Sequence, residues 1–177
     1  AVGVMTADQL ISAVDEFAQN AALAFDHAEQ NEVLMTMGIA PTHPDTGFGY
    51  LHIGPPARKD ARGSIHPVLA FREKPDEATA RQYLTSGDYL WNSGMFFWRI
   101  SSLLRAFDKA CPELGQEARR IIASADAELE TTIRESFAKM PRDSIDYAVM
   151  EKATNVCAVP GNFGWNDLGA WTALEAT

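Results

Sequence analysis

Cysteine is nearly absent from the sequence, with only Cys111 and Cys157 among 177 residues. Two thiols make neither a disulfide framework nor a zinc-ligand spacing, so the core must hold by apolar packing and a reducing compartment such as the cytoplasm is expected. Long apolar runs are missing too. The longest, residues 94–100, is broken by Arg99 and falls far short of the roughly 20 residues a membrane-crossing helix needs. Residues 1–6 carry no basic stretch ahead of an apolar one, so no secretory signal is expected there. Positive charge is in deficit: 15 Lys and Arg against 24 Asp and Glu leave a formal net charge of -9. The basic residues are scattered, which disfavours a nucleic-acid partner. An anionic ligand would need a local exception to that field. The four histidines, His27, His43, His52 and His66, show no metal or catalytic spacing and read as structural or solvent-facing.

What is present suits one folded domain over 1–177, since 46% of the residues are hydrophobic and 22% charged. Residues 1–5 read as a strand end that runs at once into an amphipathic helix, with Leu10, Val14, Phe17, Ala21 and Phe25 at spacings of three and four. Residues 33–39 are a second strand, followed by a loop holding Pro41, Pro44 and Gly47, and residues 47–53 are extended. A surface hairpin loop at 55–63 leads to a strand at 68–74. Asp76 can cap a helix through Leu84 that Gly87 closes. The aromatic residues of 91–100 make a buried strand in which Trp91, Phe96, Phe97 and Trp98 belong to the core. Ser101 or Ser102 caps a helix to Ala110, Pro112 heads another, residues 127–140 form a third, and Ser144 caps a short fourth. A strand at 156–159 leads to the 164–169 loop and a final helix. Strands alternating with helices predict an α/β fold, a Rossmann-like mixed and mostly parallel sheet with helices on both faces.

Four segments set polar residues among glycines, prolines or aromatics where a plain core would not. They are Thr46-Gly47-Phe48-Gly49-Tyr50, Phe71-Arg72-Glu73-Lys74-Pro75, Trp91-Asn92-Ser93-Gly94-Met95-Phe96, and Gly164-Trp165-Asn166-Asp167-Leu168-Gly169. In this order they resemble the sugar-phosphate nucleotidyltransferases. The loop at 38–46 and the stretch from Ser144 to Lys152 are similar to the mannose-1-phosphate guanylyltransferase branch of that family. The likeness covers nearly the whole chain. It implies transfer of a guanylyl group from GTP to mannose 1-phosphate, giving GDP-mannose and pyrophosphate.

Such a reaction brings two polyanions together, so it needs carboxylates for a metal, a cation at the sugar phosphate and neutral groups for sugar hydroxyls. The resemblance assigns the metal, Mg2+, to Asp8 and Asp167, and the sugar phosphate to Lys74. These three are the catalytic candidates. Glu73 and Asn92 would meet sugar hydroxyls, Gly47, Gly49 and Gly94 would let the sugar approach the backbone, and Glu151 would neighbour the sugar. Each has a plainer reading. Asp8 can cap the first helix, Asp167 can cap the last, Lys74 can pair with Asp76 or Glu77 at the surface, and the glycines can serve turns or bulges. Asn92 is harder to set aside, because an amide inside an apolar strand costs about 1 to 3 kcal/mol unless it is bonded.

The sequence also departs from the family pattern. The segment Thr6-Ala7-Asp8-Gln9 stands where the family carries Pro-Ala-Asp-His. The family's glycine-rich Gly-Thr-Arg loop, which cradles the triphosphate upstream of this segment, has no counterpart. The chain is therefore expected to be inactive alone, as the sugar-phosphate part of a longer enzyme. A non-catalytic sugar-phosphate-binding or regulatory module, or a nucleotidyltransferase for another sugar 1-phosphate, stays open. So does a homo-oligomer, since a sheet edge without upstream neighbours invites association. No nucleic acid or membrane partner is expected.

Overall fold

The computed structural model describes residues 1–167, and the final helix expected beyond the 164–169 loop lies outside them. The chain divides into two compact units, Ala1–Arg99 with Thr154 onward, and Ile100–Ala153. No described helix is long and apolar enough to cross a membrane.

In the first unit, strands β1 (Val2–Val4) and β2 (Gln9–Ile11) precede helix α1 (Val14–Gln30), and β3 (Leu34–Ile39), β4 (Tyr50–Ile53), β5 (Arg58–Asp60) and β6 (Gly63–Arg72) follow. Helix α2 (Glu77–Ser86), the long strand β7 (Tyr89–Trp98), and after the second unit β8 (Val156–Gly161) and β9 (Trp165–Asp167) complete it. The first helix starts later than its apolar spacing predicts. Leu10 is in β2, opposite Asn166, so strand pairing overrides helical periodicity there. Asp8 consequently caps no helix, because the cap of α1 is Ala13. The expected cap of α2 is present: Asp76 accepts from the Thr79 N–H, and Gly87 ends the helix at a φ of 79°, where a side chain would be strained.

The main sheet runs β1-β7-β3-β8-β6-β4, with β5 on β6 and a further pairing of β4 to β7. The layer is mixed α/β, but it is not mostly parallel. Among the described pairings only β3 and β8 run together, while β1, β3 and β4 all lie antiparallel to β7, as do β4 and β8 to β6. Antiparallel neighbours need no helical crossover, which is why so few helices serve so many strands. Met35, Met37 and Ile39 point to one face of β3 and share a core with Leu23, Ala24 and Ala28 of α1 and Ala80 of α2. Phe25 packs edge-on to Phe97 there, ring centres 4.9 Å apart. Trp91 and Phe97 belong to that same core.

The second unit holds α3 (Ile100–Ala110), α4 (Pro112–Ile122), α5 (Leu129–Lys139) and a π-turn at Asp146–Met150. Pro112 opens α4 as expected, whereas Ser101 and Ser102 sit inside the first turn of α3 rather than before it. At the π-turn it is the Ser144 carbonyl, accepting from the Ala148 N–H at 2.9 Å, that begins the coil. Ion pairs Asp108–Arg119 and Glu135–Arg120 join neighbouring helices.

Partial burial holds His27 below its ordinary pKa of 6.5, helped by the charge of Arg58, and its Nδ1 faces the Asn31 amide at 3.2 Å. A lowered histidine pKa means the unfolded chain takes the proton more readily, so stability is lost as pH falls through 6.5 toward the folded value. Asp76 and Asp108 are held below 3.8 by hydrogen bonds from Thr79 and Arg119, so their contribution fades only at lower pH. Urea midpoints should therefore fall between pH 7.5 and 5.5, and His27→Gln should flatten that interval while leaving the acid limb below about pH 4 in place.

Candidate active site

Strand β7 is longer than its partner by two residues at one place. Thr36 lies opposite Phe96 and Gly38 opposite Asn92, so Ser93, Gly94 and Met95 face the single residue Met37. The surplus forms a bulge. Gly94 takes a φ of 72°, a left-handed conformation that suits glycine. The Ser93 hydroxyl donates to the Met37 carbonyl at 2.9 Å and accepts from the Met95 N–H at 3.3 Å, standing in for a ladder partner. Bulges of this kind re-aim side chains beside functional sites.

The other edge of β7 is open at the same place. There β1 pairs with Phe96–Trp98 and β4 with Tyr89–Trp91, and no described strand pairs between them. Backbone groups in that gap still need partners. The Asn92 N–H donates to the Gly49 carbonyl at 2.7 Å, and the Ser93 carbonyl accepts from Gln9 Nε2 at 2.6 Å. Inside the sheet, the Thr36 hydroxyl lies 2.8 Å from Asn92 Oδ1 and 3.0 Å from the Met95 carbonyl. The asparagine thus has a protein partner that fixes its amide.

Around this gap the sequence candidates come together. A Cβ on Gly49 would lie 2.4 Å from Glu73 Oε2 and 3.4 Å from Asn92 Cβ, so the absent side chain is what admits the carboxylate. Glu73 is mostly covered, 10% exposed at its side chain, and lies 3.4 Å from the ammonium of the more open Lys74. Lys74 has a φ of 46°, an uncommon conformation for any residue but glycine, and its N–H donates to the Phe48 carbonyl at 3.2 Å. The ammonium therefore meets Glu73 rather than the Asp76 or Glu77 expected of a surface pair. Gly47 sits in the adjoining loop, where its N–H donates to Asp45 Oδ1 at 2.6 Å. Phe48 stacks edge-on between Trp91 and Trp165, at 5.1 and 5.3 Å, which joins this loop to β9.

The two carboxylates arrive on a separate ribbon. β2 and β9 pair antiparallel with Gln9 opposite Asp167, so Asp8 and Asp167 are on adjacent rungs, and Gln9 fastens that ribbon to Ser93. Gly94 faces the same segment, its missing Cβ 3.8 Å from Gln9 Nε2 and 3.9 Å from Thr6 Cγ2. Glu151 belongs to the second unit, where its N–H donates to the Asp146 carbonyl at 2.9 Å. The sequence reading missed Thr36 and the holding role of Gln9. Thr36 could have been found by the reasoning applied to Asn92, as a polar residue inside an apolar strand.

A family model described as nucleotidyl transferase matches residues 1–177. The chain is 40% identical over 173 residues to the xanthan biosynthesis protein XanB of Xanthomonas campestris pv. campestris, covering 97% of this chain and 36% of that protein. It is also 40% identical over 176 residues to the mannose-1-phosphate guanylyltransferase RfbM of Salmonella typhimurium, covering 97% and 35%. A crystal structure from Thermus thermophilus, described as a mannose-1-phosphate geranyltransferase, superposes with a TM-score of 0.85 at 34% identity, over 98% of this chain and 48% of that one. The chain spans about a third of the length of these curated relatives.

Gly49→Ala tests the packing directly. The new methyl meets the far end of a flexible carboxylate and otherwise only ordinary contacts, so unfolding free energy should change by less than about 1 kcal/mol. A crystal structure of the variant should find the Glu73 carboxylate displaced; an unmoved carboxylate beside an ordered new methyl would refute the close approach.

Proposed function

We propose, for a chain that belongs to the nucleotidyl transferase family, that it forms the sugar-phosphate side of an enzyme transferring a guanylyl group from GTP to mannose 1-phosphate, with pyrophosphate released. The observation that carries the reading is the gap along β7, which gathers a carboxylate, an amide, an exposed ammonium and a two-carboxylate ribbon around one open backbone edge. The printed names of relatives at 40% identity support the choice of guanylyl and mannose.

The residues divide the work by chemistry. Lys74 offers a point charge to the sugar phosphate, on a chain whose net charge of -9 otherwise repels it. Glu73 and Asn92 offer an acceptor and an amide to sugar hydroxyls, and Gly47, Gly49 and Gly94 keep the backbone within reach of the ring. Asp8 and Asp167 would hold a divalent metal, Mg2+ in this reading. Two neighbouring carboxylates fit a hard cation that takes oxygen ligands and completes its shell with phosphate and water. No group of three or more metal-ligating side chains occurs among the described residues, so in this reading substrate phosphates and water would supply the remaining oxygens. When bound, the metal would supply charge neutralisation where the two phosphates meet. Positioning by the gap then aligns the sugar phosphate for attack at the α-phosphorus. Two unpaired thiols, Cys111 and Cys157, suit a cytoplasmic setting.

In the intact protein, pyrophosphate release from GTP, mannose 1-phosphate and Mg2+ should fall at least about 100-fold in Asp167→Ala, the scale of losing a metal-held electrostatic contact. Lys74→Ala should weaken mannose 1-phosphate far more than mannose, by a factor that shrinks as salt rises. Near wild-type turnover of Asp167→Ala at saturating Mg2+ would remove the ligand assignment. Equal loss of both ligands in Lys74→Ala would remove the phosphate contact, and preference for another nucleoside triphosphate would refute guanylyl transfer.

A further inference from the structure

We infer that Gln9 is a positioning residue that sets where the two carboxylates stand relative to the sugar site, an inference that rests on the functional reading above. The ribbon of β2 and β9 is a two-stranded sheet of its own and is not part of the β7 sheet. Short isolated ribbons of this kind are marginal without outside attachment. One polar attachment to the site is the Gln9 amide, whose Nε2 donates to the Ser93 carbonyl at 2.6 Å. Gln9 is also the rung directly opposite Asp167 and the neighbour of Asp8. One side chain thus couples both carboxylates to the bulge that carries Asn92 and Gly94.

The surroundings make this a bond that matters. The Ser93 carbonyl lies in the part of the β7 edge where no described strand pairs, and the Ser93 hydroxyl is already committed to Met37 and Met95. Gly94 borders the Gln9 amide, where a Cβ would stand in ordinary contact at 3.8 Å, and it is the φ of 72° that calls for glycine beside this bond. At its other end the Ser12 and Ala13 N–H groups donate to the Phe163 carbonyl at 3.1 and 2.9 Å, which joins the two strands to each other, and the buried Phe163 with Ile11 and Trp165 anchors that end in the core. Loss of the amide would free the carboxylate end and leave that anchor intact.

The test compares wild type, Gln9→Leu and Gln9→His in the intact protein by two independent readouts. In Gln9→Leu, amide hydrogen exchange should quicken at residues 9–11 and 165–167 while α1 and β7 keep their protection. In the same variant kcat and Mn2+ affinity should fall about 10- to 100-fold, the scale for losing a group that orients a metal ligand, with KM for mannose 1-phosphate within about threefold. Gln9→His should recover most of both losses, because an imidazole N–H can donate to the same carbonyl. Unchanged exchange and turnover in Gln9→Leu, or a leucine-like Gln9→His, would overturn the inference. A wild-type protein without pyrophosphate release would instead overturn the functional reading, and the exchange measurement would still decide whether Gln9 holds the ribbon.

Discussion

Two surplus residues in one strand decide where everything else in the site can stand. Strand β7 must accommodate Ser93, Gly94 and Met95 against the single residue Met37, and a buried strand tolerates such an excess only if each displaced N–H and carbonyl finds another partner. Here the partners come from four places: the Ser93 hydroxyl, Thr36, the Gly49 carbonyl and the Gln9 amide. Three of those four lie on segments that also carry candidate ligand groups. The loop that supplies Gly49 leads toward β4, and the segment that supplies Gln9 carries Asp8. Satisfying a defect in the sheet and assembling the site are therefore one act of folding.

The electrostatics follow from the same geometry. On a chain of net charge -9, an anion is received only where a cation is held forward and nearby carboxylates are occupied. Lys74 is turned outward by a left-handed backbone at the end of β6 and is tethered through its N–H to the Phe48 carbonyl. Strain of this sort persists only where neighbours over-determine it, and such positions concentrate at functional sites. Glu73 lies beside it, its carboxylate 3.4 Å from the ammonium. Asp8 and Asp167, carried by the β2 and β9 ribbon, add negative charge to a chain that already has an excess of it.

Much of this was legible in the sequence, but unevenly. Element identity and the capping chemistry of Asp76, Gly87 and Pro112 could be read locally, because propensity, turn chemistry and tertiary packing agree there. The start of α1 could not. Leu10 fits the helical stripe, and only pairing with Asn166, more than 150 residues away in the chain, draws it into a strand. The direction of the sheet was misread for a related reason. Alternating elements suggest crossovers, yet β4, β6 and β7 reach one another by antiparallel pairing that leaves no mark on residue type. Glycine and asparagine in the Trp91–Phe96 stretch did mark the place where the strand becomes irregular, whereas Thr36 was hidden because a β-branched residue belongs in a strand whatever its hydroxyl does.

Gln9 shows what a motif comparison can and cannot weigh. Set beside Pro-Ala-Asp-His, the Thr6 and Gln9 positions count as two departures, and departures from a family pattern argue for lost function. In the folded chain they are not equivalent. Thr6 contributes a methyl that nears Gly94, while Gln9 makes one of the short bonds that closes the β7 edge. What the position must provide is an N–H donor long enough to cross from β2 to the Ser93 carbonyl, and glutamine meets that requirement as imidazole would. A residue can thus depart from a motif and still make a bond that the local backbone needs. The residue before it, Asp8, is one rung from Asp167 along the ribbon, so what holds Gln9 also bears on the backbone that carries that carboxylate.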